Sequence, residues 1–169
     1  PWGLRADLRT LDRGAYQQSY TTDTFAIDNH AELKAATGPL QHTVLFGVDY
    51  RLGKNNWIRK DAINGGSVDP IDLFTPVYGA PVVWSTDQYG SRQTQNFTGI
   101  YLQDQIKLEH WILTLGGRHD WADSKTADPF SGAVTNQNDR AFTKRAGLGY
   151  EFDVGVVPYI SYAESFTPT

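Results

Sequence analysis

The stretch from Trp111 to Trp121, WILTLGGRHDW, constrains this chain more than any other. At period two, Trp111, Leu113, Leu115, Gly117, His119 and Trp121 share one face, and Ile112, Thr114, Gly116, Arg118 and Asp120 share the other. A strand rises about 3.3 Å per residue, which sets the two tryptophans about 33 Å apart along it. Tilted by about 40°, as barrel strands are, that span projects to about 25 Å along a barrel axis. Outer-membrane barrels carry an apolar band of about that height, with an aromatic girdle at each edge. Arg118 and Asp120 on the opposite face suit a wet lumen better than a dry core. An amphipathic strand of a soluble sandwich shows the same alternation, so the rest of the chain has to decide between the two.

Other stretches repeat the pattern. Residues 3–12 alternate modestly. Residues 24–37 oppose Phe25, Ile27, Ala31, Leu33 and Ala35 to Asp28, His30, Glu32 and Lys34. Residues 40–52 oppose Val44, Phe46, Val48 and Tyr50 to Thr43, Leu45, Gly47, Asp49 and Arg51. Residues 94–108 place Thr98, Ile100 and Leu102 on the apolar face, where Asp104 is a misfit near the end. Residues 140–153 place Phe142, Ala146, Leu148, Tyr150 and Phe152 there, with Lys144 the misfit, close enough to the long-loop end to snorkel. Residues 157–166 form a last strand without an assigned outward face.

The connections decide. Residues 13–22, 53–93 and 123–139 read as long polar connections, whereas 38–39, 109–110 and 154–156 are short turns. A structureless segment as long as 53–93 argues against a compact soluble domain. Long and short ends in alternation belong to an up-and-down membrane barrel rather than a Greek-key sandwich. The expected fold is therefore an all-β antiparallel up-and-down meander of about seven strands. An odd count with two open edges implies a piece of a larger barrel. No run of about 18 apolar residues exists, so a transmembrane helix is excluded while a barrel is not.

Composition removes other classes. The absence of cysteine excludes a disulfide scaffold, a thiolate metal site and a thiol nucleophile. With no methionine and Pro1 in first place, the chain reads as an internal piece. A net charge of −4 without basic clusters makes nucleic acid a poor partner.

TGIYLQDQIKLEHWILTLGGRHDWAD (98–123) and FTKRAGLGYEFDVGVVPYISYAESFTPT (142–169) resemble the barrel of TonB-dependent siderophore receptors, with the ferrichrome type nearest. IDNHAELKAATGPLQHTVLFGVDY (27–50) and DPIDLFTPVYG (69–79) agree in the same order. His119 stands where these receptors often carry Tyr, which leaves the girdle reading intact. The resemblance implies a parent with a 22-stranded barrel in the bacterial outer membrane. Such a receptor binds a ferric siderophore at its outer side and imports it with energy passed from TonB through a plug. Residues 1–169 would be a partial barrel domain, without the plug and the C-terminal strands, of a monomeric parent whose partners are the ferric siderophore, outer-membrane lipid and TonB. A porin-like channel and a soluble all-β ligand-binding domain are the alternatives.

A siderophore already wraps its iron, so its receptor needs aromatic and hydrogen-bonding surface rather than metal ligands. The long segment 53–93 offers Trp57, Tyr78, Trp84 and Tyr89 as ligand-binding candidates, with Tyr78 and Trp84 foremost because they lie well inside it. Packing within the loop, or a place in the outer girdle, is the competing role for each; Tyr50 and Trp121 read as girdle. The four histidines, 30, 42, 110 and 119, lack HxxxH or HxH spacing, so no metal site is expected. His119 and Asp120 adjoin but point to opposite faces, so no catalytic residue, and no cofactor, is assigned. Arg118, Asp120, Arg145 and Glu151 are expected to contact neighbouring strands or a plug.

Overall fold

The three longest strands have 22, 23 and 25 residues, well beyond the roughly 9–11 with which a tilted strand crosses a bilayer core. The computed structural model describes residues 3–168, leaving aside the side chains of residues 64, 65, 67, 87 and 88. In chain order the elements are β1 (Thr10–Gly14), β2 (Tyr16–Thr37), β3 (Leu40–Ala62), a single helical turn α1 (Ile63–Gly66), β4 (Ser67–Asp72), β5 (Trp84–Leu108), β6 (Trp111–Ala127), β7 (Val134–Tyr150) and β8 (Tyr159–Ala163). Six of them form one antiparallel meander in the order β2-β3-β5-β6-β7-β8, and β1 pairs with β4 as a separate two-stranded ribbon. Contacts divide the chain into two units. One comprises Thr24–Lys54, Thr94–Lys125 and Asn136–Thr169; the other Pro1–Asp23, Asn55–Gln93 and Thr126–Thr135.

The first unit follows the expected alternation closely. Phe25, Ile27, Leu33, Phe46, Val48, Ile100, Leu102, Leu115, Phe142, Leu148 and Ile160 are all exposed. Among the described residues only Ala62, Ile71 and Ala122 are buried hydrophobics, so the sheet has no second layer to cover it. An uncovered apolar face far larger than the few hundred Å² a soluble monomer tolerates is what a lipid surface covers. The short turns fall where expected, with left-handed residues at Gly38 (φ 61°) and Glu109 (φ 51°). Beside the second turn, Trp111 meets Tyr150 edge-on at 4.8 Å and Tyr150 meets Phe152 at 4.8 Å, an aromatic cluster at one end of the apolar face. Toward the other end of β6, His119 and Trp121 stack edge-on at 4.3 Å. The register Leu148↔Ile160 and Ala146↔Tyr162 supplies the outward face of the last strand, which alternation alone left open.

The second unit departs from expectation. Residues 13–22, expected as a polar connection, are strand, from the end of β1 into β2. The expected strand 3–12 narrows to β1, with an isolated bridge between Leu4 and Leu11. The expected loop 53–93 is mostly ordered as the end of β3, α1, β4 and the start of β5, leaving only 73–83 irregular. Likewise 123–139 shrinks to a turn at 128–133. The physical reason is common to all of these. Period-two hydrophobicity arises where one face meets an apolar medium and the other water; here apolar and polar residues stand on both faces of a strand, as in NNWIRKDA (55–62), so the ladder persists without the pattern.

This unit is held by polar turn chemistry. The Asp7 carboxylate accepts from the Thr10 hydroxyl at 2.6 Å and from the Thr10 and Arg9 amides at 2.8 and 2.9 Å. Those bonds, the hydroxyl first, hold its pKa down to about 2. Asp128 does the same for the turn after β6, where the Ser131 hydroxyl donates at 2.7 Å and the carboxyl is again lowered. Arg9 pairs with Asp72 across the β1–β4 ribbon, at the Thr10↔Asp72 register position.

Candidate functional site

Two side-chain groups stand out, one on each unit. In the first, the face opposite the apolar one carries an ionic network drawn from four strands. Arg118 on β6 donates Nη1 to Asp49 Oδ2 at 2.7 Å and Nη2 to Asp49 Oδ1 at 3.1 Å, a two-pronged bond to β3. Its Nε donates to both Asp120 oxygens, at 2.8 and 3.0 Å. Tyr101 on β5 lies 5.8 Å from the Arg118 guanidinium and donates its hydroxyl to Asp28 on β2 at 3.1 Å.

Glycine makes this network lie flat. A Cβ at Gly99 would overlap Arg118 Nη2 and lie 2.8 Å from Asp49 Oδ2, while one at Gly47 would lie 2.5 Å from the Tyr101 hydroxyl. Each long side chain rests on a glycine of the neighbouring strand, hugging the wall instead of crossing the lumen. Alternation had placed Arg118 and Asp120 on this face; the cross-strand partners Asp49 and Tyr101 depend on register, which alternation does not report. Arg145 lies against Gly116 on the neighbouring strand β6, as expected, whereas Glu151, just past the end of β7, reaches over β6 and accepts from Lys107 Nζ on β5 at 2.7 Å.

Next to Asp49 on the same face of β3 lies Arg51, its Cζ 4.3 Å above the Phe97 ring. Asp49, Arg51, Phe97, Arg118 and Asp120 line a cavity of about 700 Å³.

In the other unit the four aromatic candidates separate. Trp57 lies on β3, not in a loop, and stacks on Tyr20 with ring centroids 6.3 Å apart. Arg59 covers Tyr16 at 4.4 Å and pairs with Asp61 at 2.7 Å. Trp57 and Arg59, two positions apart on β3, share one face of it. Trp84 opens β5 and meets Lys60, which belongs to the opposite face of β3, at 5.6 Å. Tyr89 is on β5 and Tyr78 in the irregular segment, both exposed and without a ring partner among the described residues. Trp57 and Trp84 thus fall on opposite faces of the sheet.

The two misfits of the apolar face are paired. His42 Nδ1 meets Asp104 Oδ2 at 2.7 Å across β3 and β5; His42 Nε2 and Asp104 Oδ1 are shielded and have no hydrogen-bond partner among the described residues. Lys144 sits well inside β7, not beside a long loop, and reaches Glu164 Oε1 at 3.8 Å. His119 turns to Trp121 while Asp120 turns to Arg118, as opposite faces require. Among the described residues no group of His, Cys, Asp and Glu could hold a metal ion, and no helix is long and apolar enough to cross a membrane.

Comparison with known proteins gives one answer. The profile of a family described as TonB dependent receptor-like, beta-barrel, matches residues 2–169. The ferrichrome outer membrane transporter/phage receptor of Escherichia coli (strain K12) is 36% identical over 178 residues, covering 97% of this chain and 23% of that protein. The ferrioxamine B receptor of Salmonella typhimurium (strain SL1344) is 36% identical, covering 94% of the chain and 22% of its own length. Among solved structures, the ferric preacinetobactin receptor BauA of Acinetobacter baumannii superposes with a TM-score of 0.71 at 18% identity, covering 95% of the chain and 24% of that one. The siderophore receptor PiuA of the same organism also gives 0.71, at 22% identity, covering 91% and 25%. The chain spans about a quarter of the length of the curated relatives it matches.

Proposed function

The chain belongs to the TonB-dependent receptor β-barrel family, and from that premise we propose that it is part of a receptor that binds a ferric siderophore of the ferrichrome or ferrioxamine kind and imports it with energy from TonB. Its place is the bacterial outer membrane. The observation that carries the reading is the division of one sheet into an uncovered apolar face and a flat ionic one. Lipid takes the first, and a wet passage takes the second. The related proteins are receptors and transporters rather than enzymes.

Within this reading Trp57, stacked on Tyr20 in an aromatic pair, is a better ligand contact than Trp84, which is engaged with the Lys60 cation on the opposite face of β3. Trp57→Ala in the full-length parent should weaken ferric-siderophore binding about tenfold, a value typical of a lost aromatic anchor, with Trp84→Ala changing it less than threefold. Titration of binding by intrinsic fluorescence checks the order. The function itself is tested by uptake of radio-iron-loaded ferrichrome in cells whose only receptor is the parent protein. Accumulation should disappear when TonB is removed; accumulation that persists undiminished would refute the proposal.

A further inference from the structure

Arg51 is a cation left over. It lies on β3 two positions from Asp49, the carboxylate it would ordinarily pair with, but Arg118 reaches across from β6 and takes both Asp49 oxygens. Arg118 also takes both oxygens of Asp120. Among the described residues Arg51 has no ion pair or hydrogen bond, only the Phe97 ring 4.3 Å beneath its guanidinium. A guanidinium held over an aromatic face loses freedom, while its N–H donors, which lie in the plane of the group, stay unspent, and Arg51 lines the cavity of about 700 Å³ with them. That fixed fork matches a planar pair of anionic oxygens, because two parallel N–H···O bonds form at once.

We infer that Arg51, seated on Phe97, is a specificity-determining contact for the transported chelate, donating to a planar anionic oxygen pair of hydroxamate or carboxylate type. The inference rests on the receptor reading above and adds to it the residue that would contact the chelate. Arg118 is the positioning residue: by saturating Asp49 it keeps Arg51 available. Phe97 is the platform.

The test uses the full-length receptor in detergent, titrated with a ferric trishydroxamate. Arg51→Gln should weaken binding at least tenfold, the usual effect of a charge-assisted bond lost without loss of the site. Arg51→Lys keeps the charge without the fork and should recover less than half of that loss on a logarithmic scale. Phe97→Leu, which removes the platform and spares the cation, should cost about threefold, and the salt dependence of binding should flatten in Arg51→Gln. Affinity within twofold of wild type in Arg51→Gln would overturn the inference. So would full recovery by Arg51→Lys. A lowered melting temperature with unchanged affinity would also overturn it, since Arg51 would then be serving a protein contact. Wild-type receptor that binds no ferric chelate would instead defeat the receptor reading, an outcome distinguishable from all of these.

Discussion

β3 passes through two environments, and its two ends obey different rules. In the unit that contains Leu40–Lys54, exposed Phe46 and Val48 alternate with Gly47 and Asp49, and apolar and polar faces are distinct. From Asn55 to Ala62 the same strand continues as NNWIRKDA, with polar groups on both faces and every residue but the last of intermediate exposure. The backbone ladder does not change; the medium beside it does. Hydrophobic periodicity therefore measures how far the apolar medium extends, and strand length has to be learned from pairing.

Charged substitutions test that contrast most strongly. Phe46→Lys in the full-length parent should cost about 2–4 kcal/mol, the price of a lysine facing lipid near mid-band. Gln18→Lys on β2, in the other unit, should change stability by less than about 0.5 kcal/mol. Denaturant titration of protein folded into lipid vesicles measures both, and equal costs would dissolve the distinction.

Glycines sharpen it within a single unit. Gly99→Ala puts a methyl into the space held by Arg118 and should cost about 1–3 kcal/mol, as overpacking does. Gly53→Ala, with nothing within 4 Å of the added carbon, should be close to neutral. The same titration reads both; a neutral Gly99→Ala would mean that Arg118 is not pinned against the wall.

The smallest effect is in the second unit, where the depressed pKa of Asp7 stabilises its turn as long as the carboxylate is charged. A folded-state value of about 2 lies below the ordinary aspartate value of 3.8, so the contribution is complete above about pH 4 and is lost as pH falls through about 2. Protection factors of the Arg9 and Thr10 amides, taken against the intrinsic exchange rate at each pH, should fall across that window, and Asp7→Asn should remove the fall. Unchanged protection between pH 5 and pH 2 would rule out a stabilising role for the turn.

What could be read from residues alone follows the same division. The short turns, the outward faces of β3, β5, β6 and β7 and the inward placement of Arg118 and Asp120 were all visible as alternation. The β1–β4 ribbon was not, because Thr10–Gly14 and Ser67–Asp72 meet across more than fifty residues and neither carries a clear period. The pairing of Arg118 with Asp49 was invisible for a related reason: each side chain showed its face, but only register shows who stands opposite. Asp104 looked like a defect of one strand because its partner, His42, lies on another.

That pair also bears on register. Asp104 and His42 meet at 2.7 Å across β5 and β3, so the polar side chains of the apolar face answer each other instead of facing lipid singly. Sliding β5 by one residue against β3 would turn one of them to the other face and leave its partner alone. Two residues that look like blemishes on their own strands thus act together as a pin that fixes how those strands align.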